Sequence, residues 1–115
     1  MGWFFESEND KREKMIVSYS GTICSHMKNV TSRIERDGGI THGNSSFILG
    51  EMQSIVSLKD RMEAEINQLP QSRINRLYLT WVDGRSIPFH LWAGSYQMGA
   101  LQLQRMIDDF SKYNG

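Results

Sequence analysis

The stretch Arg76–Gly94, RLYLTWVDGRSIPFHLWAG, decides how the rest of the chain is read. Leu77, Leu79 and Trp81 alternate with Tyr78, Thr80 and Val82, and Ile87, Phe89 and Leu91 alternate with Pro88, His90 and Trp92. A period of two among β-branched and aromatic residues is the pattern of half-buried strands. Asp83-Gly84 lies between the two runs, so residues 76–92 are read as a β-hairpin. A two-residue Asp-Gly loop would pair Val82 with Arg85 and set Leu79 against Pro88. A three-residue loop with Gly84 in the left-handed conformation pairs Trp81 with Arg85, Leu79 with Ile87 and Leu77 with Phe89. Only the second register gathers Leu77, Leu79, Trp81, Ile87, Phe89 and Leu91 on one face, and burial enforces register. The three-residue loop is therefore expected. Pro88 cannot donate to a ladder, so its strand is expected at an edge or with that nitrogen facing outward.

Everything before the hairpin reads as helix. From about Asp10 to Arg36, the residues Ile16, Tyr19, Ile23, Met27, Val30 and Ile34 recur at three- and four-residue spacing, as on one face of a helix. Ser7 or Asn9 can cap it, Glu8 and Asp10 suit its positive end, and Gly38-Gly39 stop it. A second seam, Ile48, Met52, Ile55, Met62, Ile66 and Leu69, runs from about Phe47 to Leu69, with Pro70 marking its end. Two long helices joined by a short loop predict an antiparallel helical hairpin. The same spacing would also serve a coiled coil between subunits, which makes a homodimer the alternative assembly. After the β-hairpin, a last helix over residues 95–113 carries Tyr96, Ala100, Leu103, Ile107 and Phe110 on one stripe. The expected fold is thus one small α+β domain spanning 1–115, in the order α-α-β-β-α. Its expected core adds Ile16, Ile23, Val30, Ile55, Met62, Ile66, Leu103, Ile107 and Phe110 to the hairpin face.

Composition narrows the function without naming it. No run approaches the roughly 18 apolar residues of a membrane span, so no membrane partner is expected. The opening MGWFFESEND lacks the basic start and apolar middle of a secretory leader. Glu6 stands where a myristoylation signal following Gly2 would place Ser or Thr. A single cysteine, Cys24, excludes an internal disulfide and fits a reducing compartment, so a cytoplasmic location is expected. Thirteen basic and thirteen acidic residues cancel. That balance argues against a nucleic-acid binder, whose affinity rests on neutralising phosphates.

Catalytic patterns are equally sparse. Cys24 and His26 are two positions apart on a helix, about 200° around its axis, and cannot share a metal ion. The loop Gly38–Ser46, GGITHGNSS, lacks the Gly-Lys-Ser/Thr ending of a phosphate loop and reads as a helix stop, a linker and an Asn44/Ser45/Ser46 cap. A nucleophile needs an activating base. Cys24, beside the Ile23 seam, reads as a small semi-buried residue, and His90, between Phe89 and Leu91, reads as a strand histidine on the less buried face rather than a ligand or base. No cofactor, metal or catalytic residue is therefore assigned. What remains is an interaction protein: an edge strand open to a partner strand, an aromatic-rich hairpin, and the aromatic arm Trp3-Phe4-Phe5. The expected partner is another protein, which this chain would bind and block as an inhibitor, immunity protein or antitoxin does. The expected partner-binding residues are Arg76, Tyr78, His90, Trp92 and Trp3. The alternative is a small nucleic-acid-binding regulator that stacks bases on the Arg and aromatic side chains of the hairpin.

Overall fold

The computed structural model describes residues 6–114. It has the expected order, with one short helix added. Helix α1 is Glu8–Asp37, α2 is Ser45–Ile66, α3 is Gln71–Ile74, strand β1 is Tyr78–Thr80, β2 is Ser86–Pro88, and α4 is Phe89–Asn114. The molecule is a rod of 61 × 22 × 22 Å. Its length follows from α1, whose 30 residues at 1.5 Å each make a ~45 Å helix.

Local chemistry sets the ends of α1. Ser7 Oγ accepts from the Asp10 N–H at 3.1 Å, and the Asp10 carboxylate accepts from the Ser7 N–H at 3.3 Å, a reciprocal capping box. At the other end Gly38 has φ 77°, a left-handed conformation that glycine adopts without steric cost, and the Gly39 N–H closes on Ile34 O. The connection to α2 is knitted by Asn44, which is fully buried. Its Nδ2 donates to Asp37 Oδ2 at 2.9 Å and to Gly39 O at 3.1 Å, and its Oδ1 accepts from the Thr41 N–H at 2.8 Å. The side chain expected to cap α2 therefore ties the loop back to α1 instead.

Helices α1 and α2 are antiparallel, as three cross-links show: Arg12 to Glu65 at 2.9 Å, His26 to Glu51, and Asp37 to Asn44. Helix α4 lies alongside and runs with α1. Lys59 of α2 sits 4.9 Å above the Tyr96 ring, and Gly99 backs onto Met27 so closely that an added Cβ would meet its methyl at 3.1 Å. Leu103 joins Val30 and Ile48 in a small upper cluster. The larger cluster packs Ile16, Ile23, Ile55, Met62 and Ile66 against Leu77, Leu79, Ile87 and Trp92.

The hairpin has the three-residue loop. Leu79 pairs with Ile87, the Trp81 N–H reaches Arg85 O, the Phe89 N–H reaches Leu77 O, and Gly84 has φ 84°. Three expectations need correction. The second strand ends at Pro88, and α4 begins at Phe89, six residues earlier than position 95. A short apolar run satisfies both periods, and tertiary packing decides between them. The helical period places Phe89, Trp92 and Tyr96 together against the core and turns Leu91 out to 57% exposure. Leu91 is therefore surface rather than hairpin core. Phe110 is also not fully buried; it is half-buried, with its ring edge-on to His42 at 5.2 Å. Among the described residues, no helix is long and apolar enough to cross a membrane.

Candidate functional site

The site begins with how β1 meets α1. In this register the backbone groups of Leu77, Leu79 and Trp81 face β2, so those of Tyr78 and Thr80 face outward. Thr80 is fully occupied there. Its N–H donates to Ser20 Oγ at 3.1 Å, and the Ser20 hydroxyl in turn donates to Val17 O at 2.6 Å. Its carbonyl accepts from Trp92 Nε1 at 2.7 Å and from Cys24 Sγ at 3.2 Å. A buried backbone amide needs such partners. Two turns of α1 thus cover the inner half of the β1 edge and leave only the backbone of Tyr78 on that side, while the edge expected from the sequence is that of β2, where Ser86 and Pro88 face away from β1.

Trp92 is accordingly not an outward binding residue. It is 0% exposed, stacks flat on Tyr96 at 5.4 Å and meets Trp81 edge-on at 6.1 Å. The strand reading put it on the outer face; the helical turn starting at Phe89 swings it into the core. Trp3 lies outside the described residues. His90 is exposed, one residue into α4, with its ring tilted against Phe89.

Arg76 and Tyr78 are brought together. Between α1 and β1 lies a groove with a cavity volume of about 530 Å³, lined by Val17, Leu77 and Tyr78 and rimmed by Glu6, Asp10, Glu13, Lys14 and Arg76. Tyr78 is 56% exposed at its mouth. Most of the rim charges are already paired. Lys14 pairs with Glu6, and Arg73 reaches across from α3 to Asp10 at 2.8 Å and Glu13 at 3.3 Å. The Arg73 guanidinium, and then the Ser7 cap, hold the Asp10 carboxyl below its usual range. Arg76 is the exception, since its Nε donates to Ser72 O at 3.3 Å while neither Nη has a partner among the described residues. The groove therefore offers an apolar floor, one phenol and one guanidinium fork, within a rim of near-balanced charge.

Other candidate chemistry is quiet. Burial pushes the Cys24 thiol up to about 11, so it stays protonated, and it points at a carbonyl rather than into the groove. Among the described residues no group of three His, Cys, Asp or Glu is placed to hold a metal ion. The Arg and aromatic face required for base stacking keeps Tyr78 and His90 but loses Trp92 to the core, and Arg85 is tied to Asp83 at 2.6 Å. The sequence missed Ser20, whose hydroxyl seals the strand edge. Its signal was weak: a small polar residue one step from the Ile16/Tyr19/Ile23 seam. Comparison with known protein families, with curated proteins and with solved structures finds no match for the chain.

Proposed function

We propose that this chain is a non-enzymatic cytoplasmic protein-binding module, of the inhibitor or immunity type, that engages another protein through the groove between α1 and β1. The observation that carries this reading is the pairing of a half-exposed Tyr78 with Arg76, whose two Nη groups have no partner among the described residues, over the Val17/Leu77 floor. Tyr and Arg are the side chains enriched where protein interfaces concentrate their binding energy. The floor suits an aliphatic or aromatic side chain. Arg76 suits a carboxylate or carbonyl beside it, because its fork donates two parallel hydrogen bonds. In this reading the chain blocks its partner by holding in the groove a segment that the partner needs for its own target.

The test is affinity capture from native-source lysate with the wild type and with Arg76→Ala/Tyr78→Ala, each with and without nuclease. A stoichiometric protein that survives nuclease and is lost with the double variant, at unchanged Tm, supports the reading. Equal capture by both forms places the partner elsewhere. Nucleic acid in place of protein supports the regulator instead, with an affinity that falls steeply with salt.

A further inference from the structure

We infer that the outer face of α4 is a self-association surface, on which two copies of this chain pair antiparallel about a two-fold axis near residue 96. Three large apolar side chains lie on that face with little cover: Leu91 at 57% exposure, Met98 at 75% and Leu101 at 53%. Gly94 stands between the first two, and an added Cβ there would meet nothing within 4 Å. The stripe Leu91–Gly94–Met98–Leu101 has 3-4-3 spacing, the seam of a helix pair, and is about 15 Å long.

Its order of sizes identifies the occupant. Read in reverse from a second copy, Leu101 falls opposite Leu91 and Met98 falls opposite Gly94, so each copy supplies a knob for the other's notch. That is the self-complementarity of an isologous interface, in which one patch serves both sides. An unrelated partner would not require Gly94 and Met98 to complement one another across the axis.

The charge pattern of α4 fits the same pairing. Residues 86–104, SIPFHLWAGSYQMGALQLQ, contain no Asp, Glu, Lys or Arg, whereas charged residues make up 23% of the chain. Interface cores are depleted in charge. The seam's flanks, Ser95, Gln97, Gln102 and Gln104, therefore bring no like charges together in the pair, and Arg105 ends the seam. The face is distinct from the α1/β1 groove, so a dimer would display two grooves.

Sedimentation velocity on the full chain, up to about 0.5 mM, gives the test. A concentration-dependent monomer–dimer equilibrium is expected, weakened at least ~10-fold by Met98→Glu with no fall in Tm. Gly94→Met fills the notch and should also dissociate the dimer, and adding Met98→Ala should restore it by exchanging knob and notch. Mixing Leu91→Cys with Leu101→Cys should give an oxidised cross-linked dimer that neither variant forms alone. A monomer at every concentration, a dimer indifferent to Met98→Glu, or no rescue by the double variant would each overturn the inference.

Discussion

Trp92 is the residue on which the geometry makes its sharpest numerical demand. It is fully buried, stacked on Tyr96, edge-on to Trp81, and donates its indole N–H to Thr80 O at 2.7 Å. Trp92→Ala removes the ring and the donor together. Truncating a core aromatic costs about 3–5 kcal/mol, and the lost hydrogen bond lies within or slightly above that range. A domain of this size has a total stability of about 5–15 kcal/mol. The variant should therefore lose about a fifth of its stability at the least, with Tm falling by about 12–20 °C at roughly 4 °C per kcal/mol. Trp92→Phe keeps most of the packing but leaves Thr80 O with the weak Cys24 thiol alone, and should cost about 1–3 kcal/mol. Urea titrations followed by circular dichroism at 222 nm give both numbers, provided the slope with denaturant is unchanged. A Trp92→Ala protein within 0.5 kcal/mol of wild type would refute the buried placement and return Trp92 to the surface.

Ser20→Ala, which strands the Thr80 N–H behind α1, should destabilise by about 1–3 kcal/mol in the same titration, whereas Ser18→Ala, on the exposed side of α1, should be near neutral. Leu91→Gln should change stability by less than about 0.5 kcal/mol, and Leu79→Ala, fully buried in the same hairpin-to-helix region, by about 2–5. Asp37 is held down to about 2 by the Asn44 amide and then by Arg33, so its contribution is present above the ordinary carboxylate pKa and is lost as pH falls from about 4 to 2. Thermal melts across that window should show a shallower acid slope for Asp37→Ala than for wild type, and an unchanged slope would remove Asp37 from the account. Native Cys24 should resist alkylation at pH 8 and react at the free-thiol rate only in denaturant, because its thiol is pushed up to about 11 and is buried.

The parts of the fold legible in the sequence are those governed by one strong periodicity. The α1 and α2 seams and the Gly38 stop needed only helical spacing and glycine conformation, and the hairpin register followed from the requirement that Leu77, Leu79 and Ile87 share a face. Residues 89–94 were not legible in the same way, because Phe-His-Leu-Trp is apolar enough to fit either period. What decides it is Trp92 finding both Tyr96 and the Thr80 carbonyl, partners fixed only in three dimensions. The same error carried into the candidate site. Arg76 and Tyr78, ahead of the ambiguous run, line the groove as outward residues, while Trp92, inside that run, is core. The groove's other wall comes from α1, some sixty residues away in sequence, through the Thr80–Ser20 contact, and local patterning carries no signal for such a pairing.

Site-specific photo-cross-linking tests the central claim most directly. A benzophenone side chain at position 78, compared with one at Ser57 on an exposed face of α2, would be irradiated in native-source lysate with nuclease present. The account predicts one discrete protein adduct from position 78, lost when Arg76→Ala is added, and none from position 57. Equal labelling from both positions, or no adduct from position 78, would contradict it.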